Sequence, residues 1–303
     1  VSLFVTGDNT TPILPNIDIS SSENGIVNLP DDVDSLFSNV ASRYTHIVAP
    51  NGDLIQFLIQ DNFTVPQILH TRRVLESYLT DIPDSDWGSD KSNIAIAMAA
   101  SNAIMFLLND ENEYENPYLW DIFDSGVNGQ DLLAIEVFPE GSPEYMSSAE
   151  RDATYEEVLH FMHGYGVQLA LPAMQNAIES AMLNAINNDV YNPLSDLPEE
   201  DFDEEYLAMG LECYFGLWAH DPNGDGFCGD QEYAFITREA MAIGDSALFA
   251  IINGFFGEAW EYTAVLPQGF NSNFFMMNQD GLDYTYRSQY LKNMKDFVYD
   301  LCY

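Results

Sequence analysis

Residues 154–164 bring two carboxylates and two imidazoles close together in the sequence. In an α-helix, where each residue advances by about 100°, Glu156, His160 and His163 lie within about 60° of one another on one face. Glu157 lies about 100° further around the helix, beside that face rather than opposite it. Imidazoles and carboxylates are ligands of divalent transition metals, and a carboxylate next to such an ion is well placed for proton transfer. The spacing therefore predicts a metal site on this helix.

The twelve residues 221–232 match the EF-hand calcium loop at each defining position. Gly226 supplies the sharp turn, and helical patterns flank the loop on both sides. The predicted oxygen ligands are Asp221, Asn223, Asp225, the carbonyl of Phe227, and Glu232. Because regulatory hands usually pair and the sequence contains no second loop, the pattern favours a structural calcium clamp over a switch. The alternative is a solvated acidic turn that matches by coincidence.

The charge of the chain excludes some partners and favours others. With 9 Lys and Arg against 49 Asp and Glu, the formal net charge is −40. Such a surface repels nucleic-acid phosphates and anionic lipid and attracts divalent cations. It is best tolerated where salt screens it or divalent ions neutralise it, so we expect no nucleic-acid partner and a saline or calcium-rich setting.

Several weaker signals agree with an extracellular, secreted protein. The chain begins at Val1, which predicts that a signal peptide has been removed, although removal of a tag has the same result. Asn9 and Asn62 begin glycosylation sequons. The three cysteines, Cys213, Cys228 and Cys302, allow one disulfide with one leftover thiol but no disulfide scaffold. No apolar run has membrane length, so we expect no membrane span.

The pattern of the chain predicts an α+β fold that is predominantly helical. Residues 1–35 read as an extended N-terminal arm, and residues 36–303 as a single domain with a small sheet. Two strand-like runs, 44–49 and 54–60, flank an Asn-Gly pair and predict a β-hairpin. A further strand is predicted over 132–138. The predicted helices are residues 64–79, 94–108, 153–163 (ended by Gly164 and Gly166), 171–187, 204–220, 237–244, 246–260 and 288–299.

The Glu/His helix and a later segment resemble the gluzincin class of zinc metallopeptidases. That class carries a His-Glu-x-x-His helix and takes a third zinc ligand from a Glu on a later helix, often before aromatic residues. The resemblance is carried by residues 156–160 (Glu-Glu-Val-Leu-His) and residues 210–215 (Gly-Leu-Glu-Cys-Tyr-Phe). It implies a zincin-like core in which His160 and Glu212 are metal ligands and Glu157 is the general base. The chain departs from the class at Glu156, which stands where the first zinc His belongs.

Three interpretations of Glu156 remain open at this point. Glu156 itself is a ligand, which gives a carboxylate-rich site that suits Mn²⁺ or Fe²⁺ better than zinc. Alternatively, His163 completes the ligand set with His160 and Glu212. In the third interpretation the site holds no metal, and Glu156 and His160 form an i,i+4 pair that stabilises the helix.

The sequence as a whole also resembles a group of secreted microbial proteins without an assigned activity. The motifs that carry this resemblance are residues 48–52 (Val-Ala-Pro-Asn-Gly), the Glu-Glu-x-x-His-x-x-His helix, residues 214–218 and residues 288–291. Two hypotheses follow. The first is a secreted calcium-binding protein with a metallopeptidase-like core that is catalytically degenerate or, alternatively, active with zinc or another divalent transition metal. The second is a structural subunit of an extracellular filament, surface layer or matrix, which self-assembles through the N-terminal arm.

Overall fold

The strands of the computed structural model form one mixed sheet, with the order β1-β2-β3-β4-β5. The structure describes residues 11–138, 152–195, 197–215 and 232–257. Within them the strands are β1 (Val27–Asn28), β2 (Arg43–Val48), β3 (Leu54–Ile59), β4 (Ile104–Leu108) and β5 (Gly129–Leu133). The first three strands pair antiparallel, whereas β3, β4 and β5 pair in parallel.

Helices occupy much of the remaining described chain, which is therefore an α+β protein, as predicted. They are α1 (Ser35–Ser38), α2 (Val65–Tyr78), α3 (Ser92–Ser101), α4 (Pro117–Asp124), α5 (Thr154–Met162), α6 (Gln168–Ala170), α7 (Pro172–Asn187), α8 (Phe202–Phe215), α9 (Arg238–Gly244) and α10 (Ser246–Phe256). Short 3₁₀ turns occupy Glu111–Glu115, Ala134–Glu136 and Glu199–Asp201, and a π-helical turn, His163–Val167, joins α5 to α6. No helix among these residues is long and apolar enough to cross a membrane.

The sheet separates two apolar cores, because successive side chains of a strand point to opposite faces. Phe57 and Met105 lie in the larger core, with side chains of α2, α3, α5, α7, α8 and α10. Leu58 and Phe106 lie in the smaller core on the other face, where α4 and the segment before β2 cover the sheet. The larger core thus fixes α5 and α8, the two helices that carry the predicted site, on the same side of the sheet.

The predicted hairpin is confirmed. Strands β2 and β3 pair antiparallel, with His46 opposite Gln56, and the turn between them contains Gly52 at a φ of 90°. A positive φ of this kind is accessible to Gly at little cost, which explains the turn. The helix predicted at 64–79 is confirmed as α2, and Thr64 and Gln67 form its capping box.

The helix predicted over 94–108 is wrong in its second half. Helix α3 ends at Ser101, Asn102 takes the left-handed conformation with a φ of 54°, and the chain then forms β4. All five residues of β4 are buried because β4 lies between β3 and β5 with a core on either face. An apolar run of this kind has no alternation that would distinguish a central parallel strand from a buried helix.

Two other boundaries also differ from the prediction. The strand predicted over 132–138 is β5, which lies three residues earlier and gives way to the 3₁₀ turn Ala134–Glu136. Gly164 and Gly166 do not end the Glu/His helix, because the chain continues through the π-helical turn. A Cβ on Gly166 would lie 2.7 Å from Ile94, so this Gly permits the close approach of α3.

The helices predicted over 171–187 and 237–244 are confirmed as α7 and α9. The helix predicted over 204–220 is observed as α8 as far as Phe215, where the described residues end. The helix predicted over 246–260 is observed as α10 but ends at Phe256, because Gly257 takes a positive φ of 70° as its C-cap. The prediction for 288–299 lies outside the described residues. The described part of the N-terminal arm packs on the smaller core, and the Gln56 amide donates to the carbonyl oxygens of Leu14 and Pro15.

Candidate metal centre

Helix α5 is held at its start by a buried contact between Asp152 and His70. Asp152 accepts a hydrogen bond from the Thr154 N–H with one carboxylate oxygen, and its other oxygen lies 2.6 Å from Nε2 of His70 on α2. Both side chains of the pair are almost fully buried. Since Val158 and Phe161 of α5 face the larger core, the opposite side of the helix carries its polar residues.

Three side chains of α5 and α8 converge to form what we call the Glu/His centre, namely Glu156, His160 and Glu205. Each offers one potential ligand atom, and these atoms all lie within 4.8 Å of one another. Glu156 and His160 are brought together by their i,i+4 spacing, as predicted. Glu205, in the first turns of α8, is a member that the sequence interpretation missed.

His160 is the most buried member of the Glu/His centre, with 8% of its surface exposed. Its Nε2 lies 3.9 Å from Oε1 of Glu205 and has no hydrogen-bond partner among the described residues. Its Nδ1 lies 3.8 Å from Oε2 of Glu157. Burial alone lowers the pKa of His160, but the carboxylates of Glu157, Glu205 and Glu204 outweigh it and raise this pKa to about 9.

Glu157 lies beside the Glu/His centre and is tied to the sheet. Oε2 of Glu157 accepts a hydrogen bond of 2.6 Å from the amide of Gln130, which belongs to β5. Its side chain is 23% exposed, so the carboxylate is open to solvent as well as to His160. Glu157 therefore lies beside the ligand face of α5, partly exposed and held in place by Gln130.

His163 follows α5 and is not part of this group. Its Nε2 lies 2.7 Å from Oε1 of Gln175 on α7, and its Nδ1 lies 3.4 Å from Oε1 of Glu204 on α8. The π-helical turn begins at His163. The imidazole of His160 therefore faces Glu205, whereas the imidazole of His163 faces the preceding residue of α8, Glu204.

Glu212, the third ligand that the peptidase resemblance implies, is also not part of the group. It is buried in α8, seven residues after Glu205, which places it on the same helix face about 10 Å further along the axis. Its charge acts on Tyr78, where burial, Glu212 and Asp152 together raise the pKa of the phenol. The carboxylate that α8 presents to His160 is thus Glu205, two helical turns before Glu212.

Most of the predicted calcium loop lies outside the described residues, including Asp221, Asn223, Asp225 and Phe227. Glu232, its last predicted ligand, is described, and its carbonyl accepts a hydrogen bond of 2.7 Å from the Asn192 N–H. Of the two sequons, Asn9 also lies outside the described residues. Asn62 is exposed at the end of the hairpin, and its backbone N–H donates to the side chain of Asn109.

The cysteines bear little on this centre. Cys213 is buried in α8, next to Glu212 in the sequence. Cys228 and Cys302 lie outside the described residues, so the predicted single disulfide stays a prediction.

No protein-family model, curated protein or solved structure matches this chain. The geometry of the Glu/His centre and of the residues around it therefore has to carry any functional assignment.

The ligand set of the Glu/His centre fits a divalent transition metal. One imidazole and two carboxylates suit Zn²⁺, Mn²⁺ and Fe²⁺, whereas calcium and magnesium prefer oxygen ligands alone. A buried ring nitrogen without a hydrogen-bond partner is uncommon in folded proteins, and a metal ion is one group that satisfies it. Ligands of one tetrahedral zinc ion lie about 3.4 Å apart, so the 3.9 Å between His160 and Glu205, and separations of up to 4.8 Å within the group, require the carboxylate side chains to move inward.

Proposed function

We propose that this protein binds a divalent transition metal through Glu156, His160 and Glu205. The observation that carries the proposal is the buried Nε2 of His160, which faces Glu205 and has no hydrogen-bond partner among the described residues. Since Glu156 lies one turn before His160, both helices contribute oxygen to the same point. The alternative is a protonated His160 that pairs with the surrounding carboxylates and binds no metal, which the raised pKa of His160 also allows.

The layout resembles that of the gluzincin peptidases in part and departs from it at the first and third ligands. As in that class, two ligands one turn apart on a helix meet a carboxylate of a later helix. Here the first ligand is Glu156 in place of His, and the later carboxylate is Glu205 in place of the expected Glu212. A second carboxylate makes the centre more anionic, which favours harder ions and reduces the electrophilicity of the metal.

Metal-dependent hydrolysis of peptides is the second candidate function, and the position of Glu157 favours it. A divalent ion in this centre supplies Lewis acidity and lowers the pKa of a water molecule. Glu157 is solvent-accessible, is oriented by Gln130 and lies beside His160, so it is placed to accept a proton. The loss of the first zinc His makes a catalytically degenerate centre the preferred form of the proposal.

We also propose that residues 221–232 bind calcium and that the protein works outside the cell. The support is the sequence of the loop, the acidic charge of −40 and the two sequons. Calcium bound in this loop would stabilise the folded protein by mass action. Isothermal titration with calcium tests this part of the proposal, and the change Glu232→Gln, which removes the bidentate ligand, should weaken binding strongly. Unchanged affinity in that variant would contradict it.

Zinc titration of chelator-treated protein tests the transition-metal proposal. The titration is done in excess calcium, so that sites made only of oxygen ligands are already filled. We expect a binding step that His160→Gln and Glu205→Gln each weaken at least about 100-fold, because even the partners of metal ligands contribute about 10- to 100-fold. His46→Gln, which changes a histidine of β2, is the matched control and should leave the step unchanged. Equal affinity in the wild type and in His160→Gln would overturn the proposal.

A peptidase assay with the zinc-loaded protein separates binding from hydrolysis. The change Glu157→Gln should leave zinc bound and abolish hydrolysis if the second candidate function is correct. The exposed Glu239 of α9 provides the matched control, Glu239→Gln. Zinc-loaded wild type without hydrolytic activity would eliminate the second candidate and leave the metal-binding proposal intact.

A further inference from the structure

We propose a second divalent-cation position, separate from the Glu/His centre, between Nδ1 of His163 and the carboxylate of Glu204. It would take a borderline ion such as Zn²⁺, because its ligands are one imidazole nitrogen and one carboxylate oxygen. The two ligand atoms lie 3.4 Å apart. This separation equals the distance of about 3.4 Å expected between two ligands of a tetrahedral zinc ion.

The hydrogen bonds of Gln175 determine which nitrogen of His163 carries a proton. The amide nitrogen of Gln175 donates to the carboxylates of Glu179 and Asp203. Turning this amide around would place its oxygen against two carboxylates, so its orientation is fixed. Oε1 of Gln175 therefore faces Nε2 of His163 at 2.7 Å, and Nε2 must be the donor.

With Nε2 as the donor to Gln175, Nδ1 is the ring nitrogen of His163 that remains for a further contact. This atom belongs to a fully buried side chain and has no hydrogen-bond partner among the described residues. It faces Oε1 of Glu204, a carboxylate oxygen, across 3.4 Å. A divalent cation between the two atoms would contact both of them, and imidazole Nδ1 is a common metal ligand.

Neighbouring residues hold the Glu204 carboxylate at this place. The amide of Gln168 donates to Oε1 of Glu204 over 3.4 Å. A Cβ on Gly164 would lie 3.1 Å from the same oxygen, so the absence of a side chain lets the carboxylate approach the π-helical turn. Consecutive residues of a helix point about 100° apart, which explains how Glu204 serves His163 while Glu205 serves His160.

A surface cleft is lined by the two glutamines that contact His163 and Glu204. Its volume is about 350 Å³. The polar residues of its wall are Gln168, Gln175, Glu179, Glu199, Glu200 and Asp203. The wall thus includes both Gln175, which orients His163, and Gln168, which contacts Glu204. Its four carboxylates attract cations to the cleft.

Zinc titration of the full chain, again in excess calcium, tests the second position together with the first. We expect two zinc equivalents in the wild type and one in His163→Gln or in Glu204→Gln. In His163→Gln the remaining equivalent should keep its affinity within about threefold, whereas Glu204→Gln also removes a negative charge that acts on His160 and should weaken the remaining equivalent somewhat more. Glu204 is a useful second variant, since its side chain is 23% exposed and Glu→Gln preserves its shape. Circular dichroism checks that each variant is folded.

The variants distinguish this inference from the proposed function. One equivalent that is lost in His160→Gln and kept in His163→Gln overturns the second position alone. One equivalent that is lost in His163→Gln and kept in His160→Gln overturns the Glu/His centre and supports the second position. Loss of all zinc in both variants indicates a single shared site and also overturns a separate second position.

A spectroscopic measurement gives an independent test on the wild type. The proposal requires the tautomer of His163 in which Nε2 carries the proton. Long-range ¹H–¹⁵N spectra of the histidine rings show which nitrogen is protonated. Zinc should shift the ¹⁵N signal of Nδ1 and leave Nε2 protonated. A signal of His163 that does not respond to zinc would contradict the proposal.

Discussion

The buried carboxylate of Asp245 should be one of the most sensitive positions of the fold, because it orders the helix that carries Glu205. One of its oxygens accepts hydrogen bonds from the hydroxyls of Tyr206, at 2.6 Å, and Tyr233, at 3.1 Å. The other accepts from the N–H of Leu248 and caps α10. Only 5% of Asp245 is exposed, and both tyrosines are almost fully buried. The network thus ties α8 to the junction of α9 and α10.

The cost of removing this carboxylate follows from the groups that it leaves without partners. In Asp245→Ala, each of two buried hydroxyls loses its acceptor at about 1–3 kcal/mol, and the lost helix cap adds about 1 kcal/mol. We expect a destabilisation of about 4 kcal/mol. Tyr206→Phe removes one charge-assisted hydrogen bond and should cost about 1.5–3 kcal/mol.

Urea unfolding followed by circular dichroism measures both single changes and the double change. Because Tyr206 and Asp245 share one network, the double variant should lose clearly less stability than the two single changes predict together. The reasoning is refuted if the effects are additive, or if Asp245→Ala costs no more than about 0.5 kcal/mol, which is the range of an ordinary surface change.

Two further predictions concern packing and pH. A Cβ on Gly210 of α8 would lie 2.8 Å from Leu248 Cγ and 2.9 Å from Ile252 Cδ1. Gly210→Ala should therefore lower the free energy of unfolding by about 1–2 kcal/mol, because the cost of overpacking exceeds the gain in helix propensity of up to about 1 kcal/mol. Thermal unfolding measures this change, and a stabilised variant would contradict the observed packing of α8 on α10. Burial raises the pKa of Tyr44 to about 12, against the smaller opposing effect of its hydrogen bond with Gln56. The unfolded chain releases this proton near pH 10 and the folded protein near pH 12, so stability present below pH 10 is lost as the pH rises to 12, by up to about 2.7 kcal/mol. Tyr44→Phe should lack this part of the loss when urea unfolding is compared at pH 9.5 and pH 11.5, and an equal loss in both proteins would show that the reasoning is wrong.

Elements defined by local chemistry could be predicted from the sequence. The Asn51-Gly52 pair dictates a turn with a positive φ, and the flanking runs form the hairpin that it predicts. Thr64 and Gln67 satisfy the first N–H groups of α2, which fixes its start at the predicted place. In both cases the determining contacts span only a few residues.

Elements defined by long-range contacts could not be predicted in the same way. The run Ile104–Leu108 is a strand because β3 and β5 pair with it on either side, and neither partner is visible from the run itself. The turn after His163 continues as a π-helix because Gly166 packs against α3, a contact between residues about 70 positions apart. Local signals there favoured a helix end.

The same distinction applies to the Glu/His centre. Glu156 and His160 could be predicted as one group because their separation is one helical turn. Glu205 was missed because its role depends on how far α8 slides along α5, which the packing of the larger core decides. Its spacing of seven residues from Glu212 was a usable signal, since two residues two turns apart share a helix face.

The most direct test of the proposed metal centre is a crystal structure of the zinc-loaded protein with anomalous data collected at the zinc edge. We expect an anomalous peak about 2.1 Å from Nε2 of His160 and at ligand distance from Glu156 and Glu205. A structure in which this position has no peak, while Nε2 of His160 donates a hydrogen bond to a carboxylate, would contradict the assignment of a metal centre.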